Sequence, residues 1–231
     1  MLVTLIILLT GTLSSAYIGS GLGEKSIMMS GVLVKISILS EFPNVLSGVR
    51  CVDLCLQNEA CMSVFYRRQH RRCQLHDVLF ISPQDGEEEA DTVYYSVRTD
   101  ICPPGFLHNR HLNICYQLHL DRRNADDALA DCTSRGQHLV VIDNEDKQNH
   151  VVKQMKSSSG TRSCSYIIDG SDAAKRGHWV FHDGRNMTFL PWAPGFPETG
   201  RGKSHIIARR DSFLWRNLQG DDKCYICERD V

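Results

Sequence analysis

The sequence predicts an α+β protein, stapled by disulfides and built as two small domains. Two observations carry that expectation. Ten cysteines fall into a group of four (Cys51, Cys55, Cys61, Cys73) and a group of six (Cys102, Cys115, Cys132, Cys164, Cys224, Cys227). A few helix patterns are set among short strand-like apolar runs in both halves. The length of 231 residues suits two small domains or one large one, and the cysteine grouping places a boundary near residue 100.

Composition narrows the function classes. A hydrophobic fraction of 42% with mixed charge belongs to a globular chain, not a disordered one. The formal net charge of -1 gives no global reason to expect nucleic acid as a partner.

The N-terminus reads as a targeting segment. Residues 2–9 are apolar, and Gly11 and the small run Ser14-Ser15-Ala16 follow, so residues 1–16 are expected to be a secretory signal cleaved after Ala16. That apolar run is too short to span a bilayer, and no later run approaches eighteen apolar residues. The mature protein is therefore expected to be secreted, extracellular and without a membrane anchor. In that oxidising setting the ten cysteines should all be paired.

In residues 17–99, Cys51 and Cys55 stand one helical turn apart and share a helix face. Residues 63–66 and 73–76 read as paired strands, and residues 27–39 carry apolar alternation that also reads as strand. Between the paired strands lies Arg67-Arg68-Gln69-His70-Arg71-Arg72. Arg67, Arg68, Arg71 and Arg72 are candidates for a polyanion patch, with a sulfated glycan as the natural partner. The alternative is a solvated hairpin tip, screened by Glu87-Glu88-Glu89 and Asp91.

The spacing Cys51-x3-Cys55-x5-Cys61, with Phe65-Tyr66 following, resembles a PAN/apple domain. The resemblance implies the pairs Cys51–Cys73 and Cys55–Cys61. The extra terminal pair that many apple domains carry has no counterpart here.

Residues 100–231 open with Cys102-Pro103-Pro104-Gly105-Phe106, and Cys115-Tyr116 follow. Residues 124–134 form a helix pattern, with Ala125, Ala128, Leu129 and Cys132 on one face and Gly136 placed to end it. Residues 139–142 read as a buried strand. Asp143, with Asp146 three positions on, signals the start of a second helix reaching about Met155. Residues 165–168, 177–180, 204–207 and 225–227 are strand-like.

This order of elements, punctuated by Cys102-Pro103, Tyr166-Ile167-Ile168-Asp169-Gly170, Trp179, Trp192, Trp215 and Tyr225-Ile226-Cys227-Glu228, resembles the C-type lectin-like fold across about 130 residues. The fold implied is two helices with small antiparallel sheets. The pairs implied are Cys102–Cys115 and Cys132–Cys227. Where the family's second pair usually sits, near residues 203–205 and 220, this chain has no cysteine. Cys164 and Cys224 each precede a strand, and they are expected to pair with each other. Positions 224 and 227 fall on opposite faces of a strand, which argues against a redox or metal motif there.

The ligand-binding half departs from the calcium-dependent members. Where they carry Glu-Pro-Asn or Gln-Pro-Asp, this chain has Phe196-Pro197-Glu198. Where they carry Trp-Asn-Asp, it has Trp215-Arg216-Asn217. Calcium requires six to eight oxygens, and Phe196 supplies none while Arg216 brings a cation. No metal or other cofactor is therefore expected. Phe196, Glu198, Arg201, Lys203, Arg216 and Asn217 are the candidate ligand-binding residues, with cationic donors suited to anionic sugars or a protein surface. Trp192 and Trp215 are expected in the core, and Asn186-Met187-Thr188 is a glycosylation sequon at Asn186.

The implied function is a secreted lectin-like recognition protein for extracellular glycans or glycoproteins, serving innate defence without the usual calcium site. The alternative is a protein-interaction or extracellular-matrix structural role without sugars. No Gly-x-Ser-x-Gly elbow or His-Glu-x-x-His helix is present, so catalysis is not expected.

Overall fold

The computed structural model describes residues 15–18, 21–83, 86–200, 203–218 and 222–231. The expected signal segment lies outside the described residues, apart from Ser15 and Ala16, which begin the first strand. The chain folds as two compact units. The first ends at Asn113 and includes Ser157–Ser159; the second comprises Ile114–Lys156 and Gly160–Val231.

The first unit contains β1 (Ser15–Ile18), β2 (Gly21–Ser26), β3 (Val32–Leu33), β4 (Ile38–Phe42), α1 (Gly48–Leu56), β5 (Ser63–Arg67), β6 (Arg72–His76), β7 (Glu87–Glu88), β8 (Thr92–Thr99) and β9 (Leu107–Asn109). Six strands form a sheet in the order β1-β2-β8-β5-β6-β4, antiparallel throughout, while β3 pairs with β7. Strand alternation divides the core. Val64 and Tyr66 of β5 join Cys51, Val52 and Cys55 of α1 on one face. Phe65, between them, packs with Met62, Phe80 and Tyr94 on the other.

Ser47 caps α1, its side chain accepting the Arg50 N–H at 3.2 Å. Disulfides join Cys51 to Cys73 and Cys55 to Cys61, so α1 is stapled to β6 and to the approach of β5. Residues 27–39 are not one strand run. Gly31 (φ 78°) and Ser37 (φ 54°) turn the chain through left-handed backbone, leaving only β3 and the start of β4.

The first unit runs past residue 100 because Arg110 ties the following segment back to α1. Its guanidinium donates to the carbonyls of Leu56 at 2.7 Å, Cys55 at 2.8 Å, Asn58 at 2.7 Å and Cys61 at 2.9 Å. These include carbonyls that the end of the helix leaves without intrahelical partners.

The second unit contains β10 (Ile114–Arg123), α2 (Ala125–Ser134), β11 (His138–Leu139), α3 (Glu145–Lys156), β12 (Tyr166–Ser171), β13 (His205–Ala208), β14 (Trp215–Leu218) and β15 (Lys223–Arg229). The short turn α4 (Ser159–Arg162) precedes β12. Strands β14, β13, β12, β15 and β10 lie side by side in that order, and β11 pairs with β15. The β12–β15 pairing is parallel; its neighbours are antiparallel. Ala128 and Cys132 of α2 pack on Leu139, Ile167, Ile207 and Tyr225.

Asn124 caps α2 by accepting the Asp127 N–H at 2.9 Å, and Gly136 (φ 67°) follows its end. The cap of α3 is Asn144, which accepts the Lys147 N–H at 2.9 Å, rather than Asp143. Asp143 instead pairs with Lys147 at 3.2 Å. Residues 140–142 are buried but lie outside β11, and Val141 N–H donates to the Glu228 carboxylate at 2.8 Å.

Cys132 bonds Cys227, closing a loop with a sequence separation of 95. In the chain-entropy picture that closure stabilises by roughly 4–5 kcal/mol. Cys164 bonds Cys224, Cys102 and Cys115 are likewise disulfide-bonded, and no cysteine is free. No helix among the described residues is long and apolar enough to cross a membrane.

Candidate recognition site

The loop before β13 is held at its base by tryptophan backbone. Trp215 N–H donates to Pro191 O at 2.9 Å, and Ala193 N–H donates to Trp215 O at 2.8 Å. Trp215 itself is fully buried, with its indole N–H on Gln148 at 3.0 Å. Trp192 is half-buried and packs on Trp179 and Trp215, with ring centroids 5.0 and 6.1 Å away. Both are therefore scaffold rather than an exposed stacking platform.

Beyond that base, Gly195 (φ 82°) turns the chain into a cis Phe196–Pro197 peptide. Asn217 on β14 then fastens the loop. It accepts the Glu198 N–H at 2.8 Å and donates to the Glu198 carbonyl at 2.8 Å and the Lys203 carbonyl at 2.9 Å. A second clamp comes from Arg176, which donates to the carbonyls of Gly200 and, at 3.3 Å, Lys203, and is itself held by Asp172 at 3.0 Å.

The candidate residues thus divide by role. Asn217 is buried and consumed by backbone. Lys203 pairs its ammonium with the Glu198 carboxylate. Phe196 is half-buried, and the Arg216 guanidinium lies over its ring, 4.5 Å from the centroid. Because Arg216 and Asn217 are neighbours on a strand, one clamps the loop while the other faces away from the clamp. Arg201 lies outside the described residues.

This donor set does not fit a calcium ion. Phe196 offers no oxygen, the Asn217 oxygen is already an acceptor, and Lys203 neutralises Glu198. Asp211, another nearby acid, is paired with Arg209. Of other acid and histidine groupings, His119–Asp131–Cys227 includes a disulfide sulfur, and His70–Glu89–Asp91 sits beside the basic hairpin tip.

The arginine run in the first unit is partly neutralised. Arg67 and Arg72 flank Glu41 at 3.8 and 3.6 Å, so the screening acid there comes from β4. Asp91 accepts the Gln69 N–H at 2.7 Å and faces His70 at 3.5 Å, while Glu87 pairs with Lys35. Arg68 and Arg71 occupy the turn itself. In the second unit, Asn186 is exposed and sits in the turn after Gly184.

A cleft of about 800 Å³ in the second unit is a feature that sequence reading missed. Asp126, Asp169, His182 and His205 line it, and they pair internally: His182 with Asp169 at 2.7 Å, His205 with Asp126 at 3.3 Å. Asp169 lies in a fold-marking motif, but nothing in its spacing to His182 announces the cleft.

A disulfide-stapled α+β unit with a long loop pinned beside β14 defines a lectin-like class of protein, and comparison with known proteins agrees. The PAN domain family model matches residues 29–99. The galactose-specific lectin nattectin of Thalassophryne nattereri is 31% identical over 135 residues, spanning 58% of this chain and 83% of that protein. Salivary C-type lectin 1 of Aedes albopictus is 27% identical over 108 residues, spanning 42% of this chain and 71% of that protein. The human scavenger receptor C-type lectin carbohydrate-recognition domain superposes with a TM-score of 0.50 at 25% identity, over 56% of this chain and 99% of that one. Human lithostathine gives 0.51 at 22% identity, over 56% and 91%, a likeness of fold. The chain belongs to the C-type lectin-like family and carries a PAN domain at its N-terminal side.

Proposed function

We propose that the protein is a secreted, extracellular recognition module. Its second unit binds glycans or glycoproteins through the loop around Phe196, without a sugar-ligating calcium ion. The observation that carries this reading is the Arg216 guanidinium stacked on Phe196 beside a Glu198 carboxylate already neutralised by Lys203. An aromatic face next to a cationic fork suits a sugar ring bearing an acidic group. The lectins among its relatives support carbohydrate as the ligand class, and innate defence is the role we propose for that binding. Its role is binding rather than catalysis.

A glycan array probed with and without chelator tests the reading. Binding that survives chelator and falls in a Phe196→Ala variant is the expected result. Binding abolished by chelator refutes the calcium-free site.

The same aromatic–arginine pair also suits a protein hot spot, which favours a protein-interaction role in the extracellular matrix as the second reading. A stoichiometric protein partner in the native secretion, with no glycan bound on the array, would select it.

A further inference from the structure

Three strand ends and one disulfide build a basic pocket of about 300 Å³ in the second unit. Arg122 lies near the end of β10, and Lys223 opens β15 opposite Arg123. Tyr166 at the start of β12 pairs with Cys224, and the Cys164–Cys224 bond fastens the segment before β12 to β15. Arg210 follows β13 and is set in place by that segment: its N–H donates to Ser165 Oγ at 3.1 Å and its guanidinium to Ser163 O at 3.2 Å. Three cations and one acid, Asp222, therefore line the pocket, together with Ser163, Ser165 and Cys164.

Two of these cations lack a carboxylate partner. Elsewhere in the second unit Arg123, Arg135, Arg176, Arg185 and Arg209 each pair with a carboxylate. Among the described residues, Arg122 and Arg210 have no carboxylate within ion-pair distance, although both face the same concavity. Two guanidiniums and Lys223 beside the single carboxylate of Asp222 leave the pocket with an excess of positive charge, which favours an anion. The guanidinium forks and the Ser165 hydroxyl are donors matched to an oxyanion, while the Ser163 hydroxyl donates to the Gly160 carbonyl at 2.7 Å. No aliphatic or aromatic side chain lines the pocket, so a hydrophobic peptide gains no seat, whereas a hydroxyl-rich ligand does.

We propose that this pocket binds the anionic group of an acidic glycan, a sulfate ester or a carboxylate. It is separate from the Phe196 loop and goes beyond the reading given for that loop. Cys164 of the relocated disulfide also lines the pocket.

The test is titration of the full protein with a sulfated chondroitin disaccharide and with its unsulfated uronic-acid counterpart. Amide shifts of Ser163, Ser165 and Lys223 serve as the readout. The sulfated probe should bind with an affinity that falls as salt rises, and R122E should weaken it by about tenfold or more. An R122A/R210A variant should lose it; if that protein fails to fold, R122E alone decides, because Arg122 is exposed. Equal binding of the unsulfated probe supports the pocket and assigns the carboxylate; preference for the sulfated probe assigns the sulfate. Phe196→Ala should leave the shifts at Ser163, Ser165 and Lys223 unchanged, whatever it does to binding at the loop. No shift with either disaccharide, or binding indifferent to R122E, overturns the proposal. Binding lost only in Phe196→Ala places the anion at the loop instead and equally overturns it. A phosphoserine peptide that binds more tightly than either disaccharide refutes the glycan assignment.

Discussion

Asn217 and Glu198 are joined by a reciprocal pair of hydrogen bonds, each 2.8 Å, between one side-chain amide and one peptide backbone. The amide thus acts as a missing strand neighbour for the loop. Asn217→Ala removes both bonds and the one to Lys203 O. Glu198 is exposed, so water replaces part of what is lost, and the cost is about 1 kcal/mol. Chemical denaturation of the full protein should show that loss, with faster proteolysis between residues 195 and 203. Unchanged stability and unchanged cleavage would contradict the clamp.

The same geometry predicts how the protein answers calcium. Lys203 occupies the carboxylate that a metal needs, and the Asn217 oxygen already holds the Glu198 N–H. Addition of calcium to about 10 mM should leave the melting temperature of the native chain unchanged. The family's ligand triplets can be rebuilt with Phe196→Glu, Glu198→Asn, Arg216→Asn and Asn217→Asp. An extracellular-grade site, with Kd near 10⁻⁴–10⁻³ M, then adds about 1–3 kcal/mol at that concentration. A calcium-induced stabilisation of the unaltered protein would sink this account.

Local signals in the sequence located some of the elements, and long-range ones were invisible. Asn124, the apolar face through Cys132 and Gly136 bound α2 because cap, stripe and stop all lie within a few residues. The short apolar run at residues 63–66 marked β5 for the same reason. At α3 two adjacent capping residues competed, and Asn144 rather than Asp143 took the cap. The candidate loop residues were legible as types, because Phe196 and Arg216 stand where oxygens are usual. Their division into clamp and surface was not, since the acceptors of Asn217 are carbonyls fourteen and nineteen residues away. Carbonyls exist at every residue and leave no trace in composition. The partner of Arg67 and Arg72 escaped notice likewise, because Glu41 reaches them only through the β4–β6 pairing.

Arg110 gives the clearest case of a long-range clamp. One guanidinium serves four carbonyls around the end of α1. Burial of the group lowers its pKa, yet an arginine stays charged, so its bonds are charge-assisted. Arg110→Ala should destabilise the first unit by about 2–4 kcal/mol, and Arg110→Lys should recover only part, because an ammonium lacks the planar fork. Calorimetry of the full protein resolves the effect. A change within about 0.5 kcal/mol in both variants would show that the carbonyls are satisfied without it.

The first unit should also lose stability as it is acidified, through His76. Its ring is buried, meets Phe65 and Phe80 edge-on at 5.2 and 5.1 Å, and has Nδ1 2.9 Å from the Ile36 carbonyl. Burial dominates, and it lowers the pKa from 6.5 to about 4 despite that carbonyl and the nearby Asp77. Between those two values the unfolded chain binds a proton that the folded one refuses. The stabilisation is therefore complete above pH 6.5 and shrinks as pH falls toward 4, by a total of about 3 kcal/mol. Denaturant titrations from pH 7 to 4 should show this slope, and His76→Gln should flatten it while lowering stability at pH 7 through lost ring packing. Carboxylates contribute a slope of the same sign, so the comparison between variant and native chain is what isolates His76. If the two slopes are equal, the histidine does not titrate in this window, and the acid lability of the unit belongs to its carboxylates.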